Sequence, residues 1–343
     1  MNSIMIIVII TIGIALIFDI INGFHDAANS IATIVSTRVL SPKYAVFWAA
    51  FFNFIAMFIF APRVANTISK IVIIDPSDPA FLYVVLAGLI GAIFWDLVTW
   101  WYGLPTSSSH ALIGGLMGAG IAYKGTAIIQ WHKIIQTATF IPLAPLIGFA
   151  TAFVLMVIVY WTFRRWTPRK VDSLFSKGQF VSAAMYSLGH GGNDAQKTMG
   201  VIVAILVAAR IFSPEKQLSI AHWDTLWIIL SCHLAMAIGT ALGGWRIVKT
   251  MGMKLTKLKP VHGFCAETAG AFTIFFATNL GIPISTTHTI AGSIIGVGST
   301  TNIAGIKWKI ALRIVMAWFV TIPASALVSI LFLWMFRLFH PAF

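Results

Sequence analysis

Two aspartates occupy matching stretches in the two halves of the chain. His25-Asp26-Ala27-Ala28-Asn29 answers Asn193-Asp194-Ala195-Gln196-Lys197, and each aspartate is flanked by Asn or His and followed by apolar sequence. A carboxylate inside an apolar run costs at least ~2.5–3.5 kcal/mol on insertion scales, so its recurrence suits binding of a cation or a proton. Asp19, Asp96 and Glu267 also lie in or beside apolar runs. Asp96, next to Trp95, Trp100, Trp101 and Tyr102, fits an interfacial aromatic belt equally well.

A second pair of stretches has different chemistry. Leu104-Pro105-Thr106-Ser107-Ser108-Ser109-His110 answers Ile282-Pro283-Ile284-Ser285-Thr286-Thr287-His288. Proline suits a first helical turn, where its missing N–H would be unpaired anyway. The hydroxyls after it would lie beside the free N–H groups at the positive end of the helix dipole, a ready anion site. Thr106, Ser107, Ser108, Ser285, Thr286 and Thr287 are therefore expected to bind one multi-oxygen anion from two sides. One such Ser or Thr would be explained as well by helix capping; the duplication favours substrate. Gly114/Gly118 and Gly292/Gly296 follow at GxxxG spacing, which predicts close helix packing. His110 and His288 can contact the anion, relay protons or hydrogen-bond within the bundle. Ser109-His110 and Thr287-His288 are neighbours about 100° apart on a helix, so neither pair forms a nucleophile and base unaided. With no GxSxG or HExxH motif, and no ligand spacing around Cys232 or Cys265, neither an enzyme, a catalytic residue nor a resident metal site is expected.

The elements that carry these residues are dictated by composition. The chain has 343 residues, 59% hydrophobic and 10% charged, with mean hydropathy +0.90. Soluble chains are ~45–50% apolar and ~25% charged, so an ordinary soluble enzyme and a disordered chain are both excluded. Apolar segments fall at 3–21, 24–37, 44–62, 80–103, 105–123 and 134–163, and again at 178–189, 191–212, 222–244, 262–280, 283–300 and 310–338. Such long continuous runs predict helices, not the alternating ~10-residue strands of a barrel. Met1 to Phe18 lacks Lys, Arg and a cleavage site and reads as the first membrane helix, not a removable signal.

The fold expected is an all-α polytopic membrane protein of two inverted-topology repeats with broken or re-entrant helices. Repeat 1–163 and repeat 178–343 would be joined by a basic cytoplasmic linker, 164–177. The formal charge of +13 suits the positive-inside bias better than a polyanion partner. With the N-terminus outside, the inside loops hold most of the 23 basic residues, Arg38, Arg164 and Arg246 among them. The outside loops hold Asp75, Asp78 and Glu215, and the bias fits an inverted repeat.

The four motifs resemble those of the inorganic phosphate transporter (Pit) family. Asn22-Gly23-Phe24-His25-Asp26-Ala27-Ala28-Asn29 and Gly103 to His110 are similar to its first-half signatures. Gly189-His190-Gly191-Gly192-Asn193-Asp194-Ala195-Gln196-Lys197 and Pro283 to His288 are similar to the second-half ones. The resemblance, to the bacterial low-affinity members above all, implies a multi-pass transporter of the inner (plasma) membrane. It would import phosphate with a coupling cation by alternating access. Its site would comprise Asp26, Asn29, Asn193, Asp194, Thr106, Ser107, Ser108, Ser285, Thr286 and Thr287. Partners would be inorganic phosphate, the coupling cation and the lipid bilayer; a homodimer is allowed and nucleic acid has no part.

One position departs from the pattern. Sodium-coupled members carry Asn after each Asp motif, whereas Asn29 is matched here by Lys197. An ammonium one helical turn beyond Asp194 takes a cation's place and pairs with the carboxylate. The expectation is therefore proton coupling with Asp26 or Asp194 titrating, no cofactor, and phosphate carried alone or as a neutral divalent-metal complex. Sodium coupling is the alternative. Sulfate is the rival substrate, but protonated phosphate can donate a hydrogen bond to Asp26 or Asp194 and sulfate cannot.

Overall fold

The computed structural model describes residues 3–73, 78 and 80–339, which leaves out Asp75. The first half runs α1 (Ser3–Ser36), α2 (Pro42–Ile55), α3 (Arg63–Ile68), α4 (Phe81–Trp101), α5 (Ser108–Lys124) and α6 (Trp131–Phe163). The second runs α7 (Pro168–Ala208), α8 (Trp223–Leu242), α9 (Trp245–Val248), α10 (Pro260–Asn279), α11 (Thr286–Thr301) and α12 (Trp308–Phe339). Among the described residues there is no β-strand, as expected where lipid leaves every backbone group to be satisfied within the chain. Of these helices α1, α4, α6, α8 and α12 are long and apolar enough to cross a membrane.

The polar interruptions do not break the helices on which they lie. Segments 3–21 and 24–37 were expected as separate runs, yet α1 is one helix of 34 residues. Segments 178–189 and 191–212 likewise fuse in α7, a helix of 41 residues that begins at Pro168. Residues 168–177, expected within the linker, are thus its first turns, and 164–167 alone connect α6 to α7. The reason is helical phase. Asp19, Asn22, Asp26, Asn29 and Thr33 recur every three or four residues and form one buried stripe, while Ile6, Ile9, Ile10 and Ile17 face outward. Gln179, Ser182, Tyr186, His190, Asn193 and Lys197 form the matching buried stripe of α7.

Breaks occur instead in the helices beside them. α8 ends at Gly243, whose φ of 73° is reached easily only without a Cβ, and resumes as α9 and a π-helical turn, Lys249–Lys254. Likewise α2 passes through a short 3-10 turn, Ala56–Phe58, before α3. The pairing crosses the halves: α8 and α9 lie along α1, and α2 and α3 lie along α7. Asn53 Nδ2 on α2 donates to Thr240 Oγ1 on α8 at 2.8 Å, joining the two broken elements.

α4 and α5 form one hairpin, α10 and α11 the other, and each turns back inside the molecule. Their turn residues are buried and touch: Ser109 Oγ donates to the Ile284 carbonyl at 3.4 Å, and the His110 and His288 rings are 4.8 Å apart. At 17 and 16 residues, α5 and α11 rise only ~26 and ~24 Å, short of a ~30 Å hydrocarbon core. Their partners α4 and α10, at 21 and 20 residues, are longer.

The GxxxG glycines seat these short helices on the last helix of the opposite half. A Cβ on Gly114 would stand 2.5 Å from the Ile322 carbonyl of α12, and one on Gly292 only 2.1 Å from the Pro145 carbonyl of α6. Gly292→Val should therefore cost several kcal/mol and abolish a monodisperse species in size-exclusion chromatography. Gly13→Ala, where an added Cβ meets nothing within 4 Å, should leave the profile unchanged or raise the unfolding temperature slightly.

Candidate functional site

The two polar stripes meet where the hairpin turns meet. Helices α5 and α11 start at Ser108 and Thr286, with Ser107 and Ser285 as N-caps. The Ser107 hydroxyl accepts from His110 N at 3.4 Å, and that of Ser285 accepts from His288 N at 3.2 Å. Pro105 and Pro283 precede the caps, so they stiffen the entering strand of chain instead of opening the first turn, as the sequence had suggested.

The first-turn hydroxyls reach the aspartates. Ser108 Oγ lies 2.8 Å from Asp26 Oδ2 and 2.5 Å from Asn22 Oδ1. Thr287 Oγ1 donates to Asp26 Oδ1 at 3.3 Å, and Thr286 Oγ1 to Asp194 Oδ2 at 3.2 Å. Asn29 Nδ2 bridges Thr286 Oγ1 (3.2 Å) and Thr287 Oγ1 (2.9 Å). In the repeat-related position Lys197 Nζ contacts Asp194 and Ser109 Oγ, and donates to the Ile284 carbonyl at 3.2 Å. Asp26–Ser108 thus corresponds to Asp194–Thr286, and Asn29–Thr287 to Lys197–Ser109.

A histidine adds a further contact to each aspartate. His25 Nδ1 is 2.8 Å from Asp26 Oδ1, and His190 Nε2 is 3.2 Å from Asp194 Oδ2. Ligand atoms of Asp26, His190 and Asp194 lie within 4.8 Å of one another, a grouping that can hold a cation. All of these side chains are buried, Asp194 and Lys197 completely, so the cluster is closed to solvent from both ends. Two carboxyl groups and one amino group in this setting stand only because each is paired.

Asp26, Asp194, Asn29, Lys197, Ser108, Thr286 and Thr287 therefore converge. Four other sequence candidates do not reach the carboxylates. Ser107 and Ser285 cap. Thr106 Oγ1 donates to Thr99 Oγ1 at 2.9 Å, beside His25. Asn193 Nδ2 donates to Thr278 Oγ1 at 2.9 Å and to the Ile282 carbonyl at 3.3 Å, fastening the second hairpin.

Two repeat-related clamps went unnoticed in the sequence. Arg246 donates to the Trp101 carbonyl at 2.6 Å and Thr250 to that of Gly103 at 2.9 Å. Arg63 donates to the Asn279 carbonyl at 2.5 Å and Thr67 to that of Gly281 at 2.7 Å. Each clamp holds the hairpin of the other half by the carbonyls that end its first helix. Arg246, which charge counting assigned to an inside loop, lies against a hairpin turn, stacked over the Trp100 and Trp101 rings. The signal was legible, since Arg-x-x-x-Thr occurs at both Arg63 and Arg246 just past the breaks.

Known proteins resemble this chain in sequence and in fold. A sequence profile of the phosphate transporter family matches residues 22–172 and 162–329. The chain is similar to a probable low-affinity inorganic phosphate transporter of Rhizobium meliloti, 55% identical over 93% of each chain. It is 42% identical to a counterpart of the same description in Bacillus subtilis, over 95% of this chain and 96% of that one. A third, from Mycobacterium leprae, is 39% identical over 98% of this chain and 80% of its own length. Among solved structures, one described as the sodium-dependent phosphate transporter superposes with a TM-score of 0.88, covering 97% of this chain and 99% of that one. At 23% identity that likeness establishes the fold.

Removing one member of the central ion pair should leave the other charge uncompensated. Lys197→Met is expected to cost ~3–5 kcal/mol in thermal unfolding of the detergent-solubilised protein, and adding Asp194→Asn should recover most of the loss. Strict additivity of the two substitutions would mean that the pair does not form.

Proposed function

The chain belongs to the phosphate transporter family, whose members are membrane transporters and not enzymes, and on that premise we propose that it imports inorganic phosphate by proton symport. The observation that carries this reading is the meeting of two helix N-termini, with Ser108, Thr286 and Thr287, at the paired aspartates Asp26 and Asp194. Helix starts favour an anion, and the carboxylates favour an anion that still bears protons. A protonated phosphate oxygen donates to an aspartate while its other oxygens accept from the hydroxyls, an exchange that sulfate cannot match.

Substrate would displace the hydroxyl–carboxylate contacts that now close the site. Entry from one side requires one hairpin to leave its clamp, and exit to the other side requires the opposite hairpin to do so. This is alternating access between two inverted repeats, one comprising 1–163 and the other, with α7 entire, 168–343, in the cell inner membrane. The symmetric exchange of contacts between halves supports that division.

Lys197 supports protons over sodium. Its ammonium already neutralises Asp194 where Asn29 leaves Asp26 without such a partner, so one of two symmetric cation positions is filled permanently. The grouping of Asp26, His190 and Asp194 favours sodium, or a divalent metal entering with phosphate, as the second reading.

Radiolabelled phosphate uptake into proteoliposomes separates these. Acid outside, in sodium-free buffer, should drive accumulation that a large excess of sulfate leaves unchanged. Uptake that needs a sodium gradient and ignores the pH gradient would sink proton coupling; strong sulfate competition would sink phosphate selectivity. A further expectation concerns the hydroxyls. Ser108→Ala should raise the KM for phosphate about tenfold, the loss of one hydrogen bond to a charged group, whereas Ser107→Ala should lower the unfolding temperature through a lost cap.

A further inference from the structure

The buried carboxylates of this chain divide into those that are met by donors and those that are not. Asp26 is met by His25, Ser108 and Thr287, and Asp194 by Lys197, His190 and Thr286. Glu267 accepts from Thr33 (2.6 Å), Ser182 (2.5 Å) and Gln179 (2.9 Å). Asp96 on α4 and Asp19 on α1 are fully buried, and no oxygen of either has a hydrogen-bond partner; of the two, Asp19 adjoins Asn22, which reaches the Ser108 hydroxyl. Seven residues before Asp26, Asp19 lies on the same face of α1, about two turns away.

Its surroundings are polar and equally unsatisfied. Asn22 Nδ2 and Thr198 Oγ1 are buried without partners, and both side chains face Asp19. The charged and titratable groups that bear on it are Asp194 and Lys197 from α7 and the Cys232 thiol from α8. Asn22 then links Asp19 to the substrate site, because its Oδ1 accepts from the Ser108 hydroxyl that also meets Asp26.

We propose that Asp19 is the carboxyl that takes up the coupling proton, binding it together with phosphate on one side of the membrane and releasing it on the other. The inference rests on proton symport as the transport reaction. An ionised Asp19 would add a third carboxylate to Asp26 and Asp194 against the single ammonium of Lys197, and an arriving phosphate anion would be repelled. A proton on Asp19 removes that charge without disturbing the paired aspartates. It also alters the hydrogen bonding open to Asn22. Ionised, Asp19 accepts from Asn22 Nδ2 and Thr198 Oγ1; protonated, it donates one hydrogen and needs fewer donors. Occupancy at Asp19 is thereby transmitted through Asn22 to Ser108 at the hairpin start.

The test compares two modes of transport in proteoliposomes of wild type, Asp19→Asn, Asp19→Glu and Asp96→Asn. Net accumulation driven by an imposed pH gradient requires the proton, while exchange of external labelled phosphate for internal unlabelled phosphate does not. A gradient of one pH unit is worth about tenfold in the phosphate ratio per coupled proton. Asp19→Asn should lose that accumulation and keep exchange within about twofold; Asp19→Glu should retain accumulation with a shifted pH of half-maximal uptake; Asp96→Asn should retain both. Accumulation by Asp19→Asn equal to wild type would overturn the proposal. So would loss of exchange along with accumulation in a monodisperse Asp19→Asn protein, or an Asp19→Glu pH profile identical to wild type. Failure of proton coupling itself is read separately, from wild-type liposomes that do not respond to the pH gradient.

Discussion

Every feature of this protein answers to the cost of keeping charge in a place without water. Asp26, Asp194 and Lys197 are buried at the centre of a chain whose outer surface is apolar, and each persists because donors and acceptors from other elements are held against it. Those partners come from the starts of two short helices, and the requirement fixes where the hairpins must end. A hairpin that turned a few residues earlier would leave the aspartates facing hydrocarbon. One that continued across the membrane would carry Ser108 and Thr286 away from them.

The same constraint explains why the two halves are interleaved. Helix α5 lies on α12 and α11 on α6, through glycines that admit backbone contact across the halves. Helices α2 and α8 are broken beside the site, and the segments beyond the breaks hold the opposite hairpins by their terminal carbonyls. Each hairpin is thus seated by one half and fastened by the other. Both grips on a hairpin are therefore tied to the relative placement of the two halves.

Lys197 gives the symmetry its direction. Asn29 and Lys197 take equivalent places, but a neutral amide and an ammonium impose different charge on Asp26 and Asp194. The two halves of the site are therefore unequal in their partners, an amide on one side and an amino group on the other. Asp19 stands on α1 facing Thr198, Asp194 and Lys197 of α7.

Much of this was determined by sequence alone. Composition forces membrane helices, because no soluble core can absorb so much apolar surface. Recurrence of the aspartate and hydroxyl motifs identifies the duplication, since matched spacing over two stretches has no other simple origin. The three- and four-residue spacing of Asp19, Asn22, Asp26, Asn29 and Thr33 already encodes a single unbroken helix, though the apolar runs on either side of Asn22 suggested two.

Tertiary structure alone decided the rest. Ser107 and Ser108 are adjacent hydroxyls of one type, yet one caps a helix and the other touches Asp26, because a side chain's direction at a helix start depends on backbone dihedrals that its identity leaves open. That Asp19 lacks partners while Glu267 has three follows from which helices cross at each, a property of long-range packing. The repeated Arg-x-x-x-Thr pattern marks Arg63 and Arg246 as a pair, but their contacts join residues far apart in the chain, so the pattern names no partner and only packing places them on the opposite hairpins.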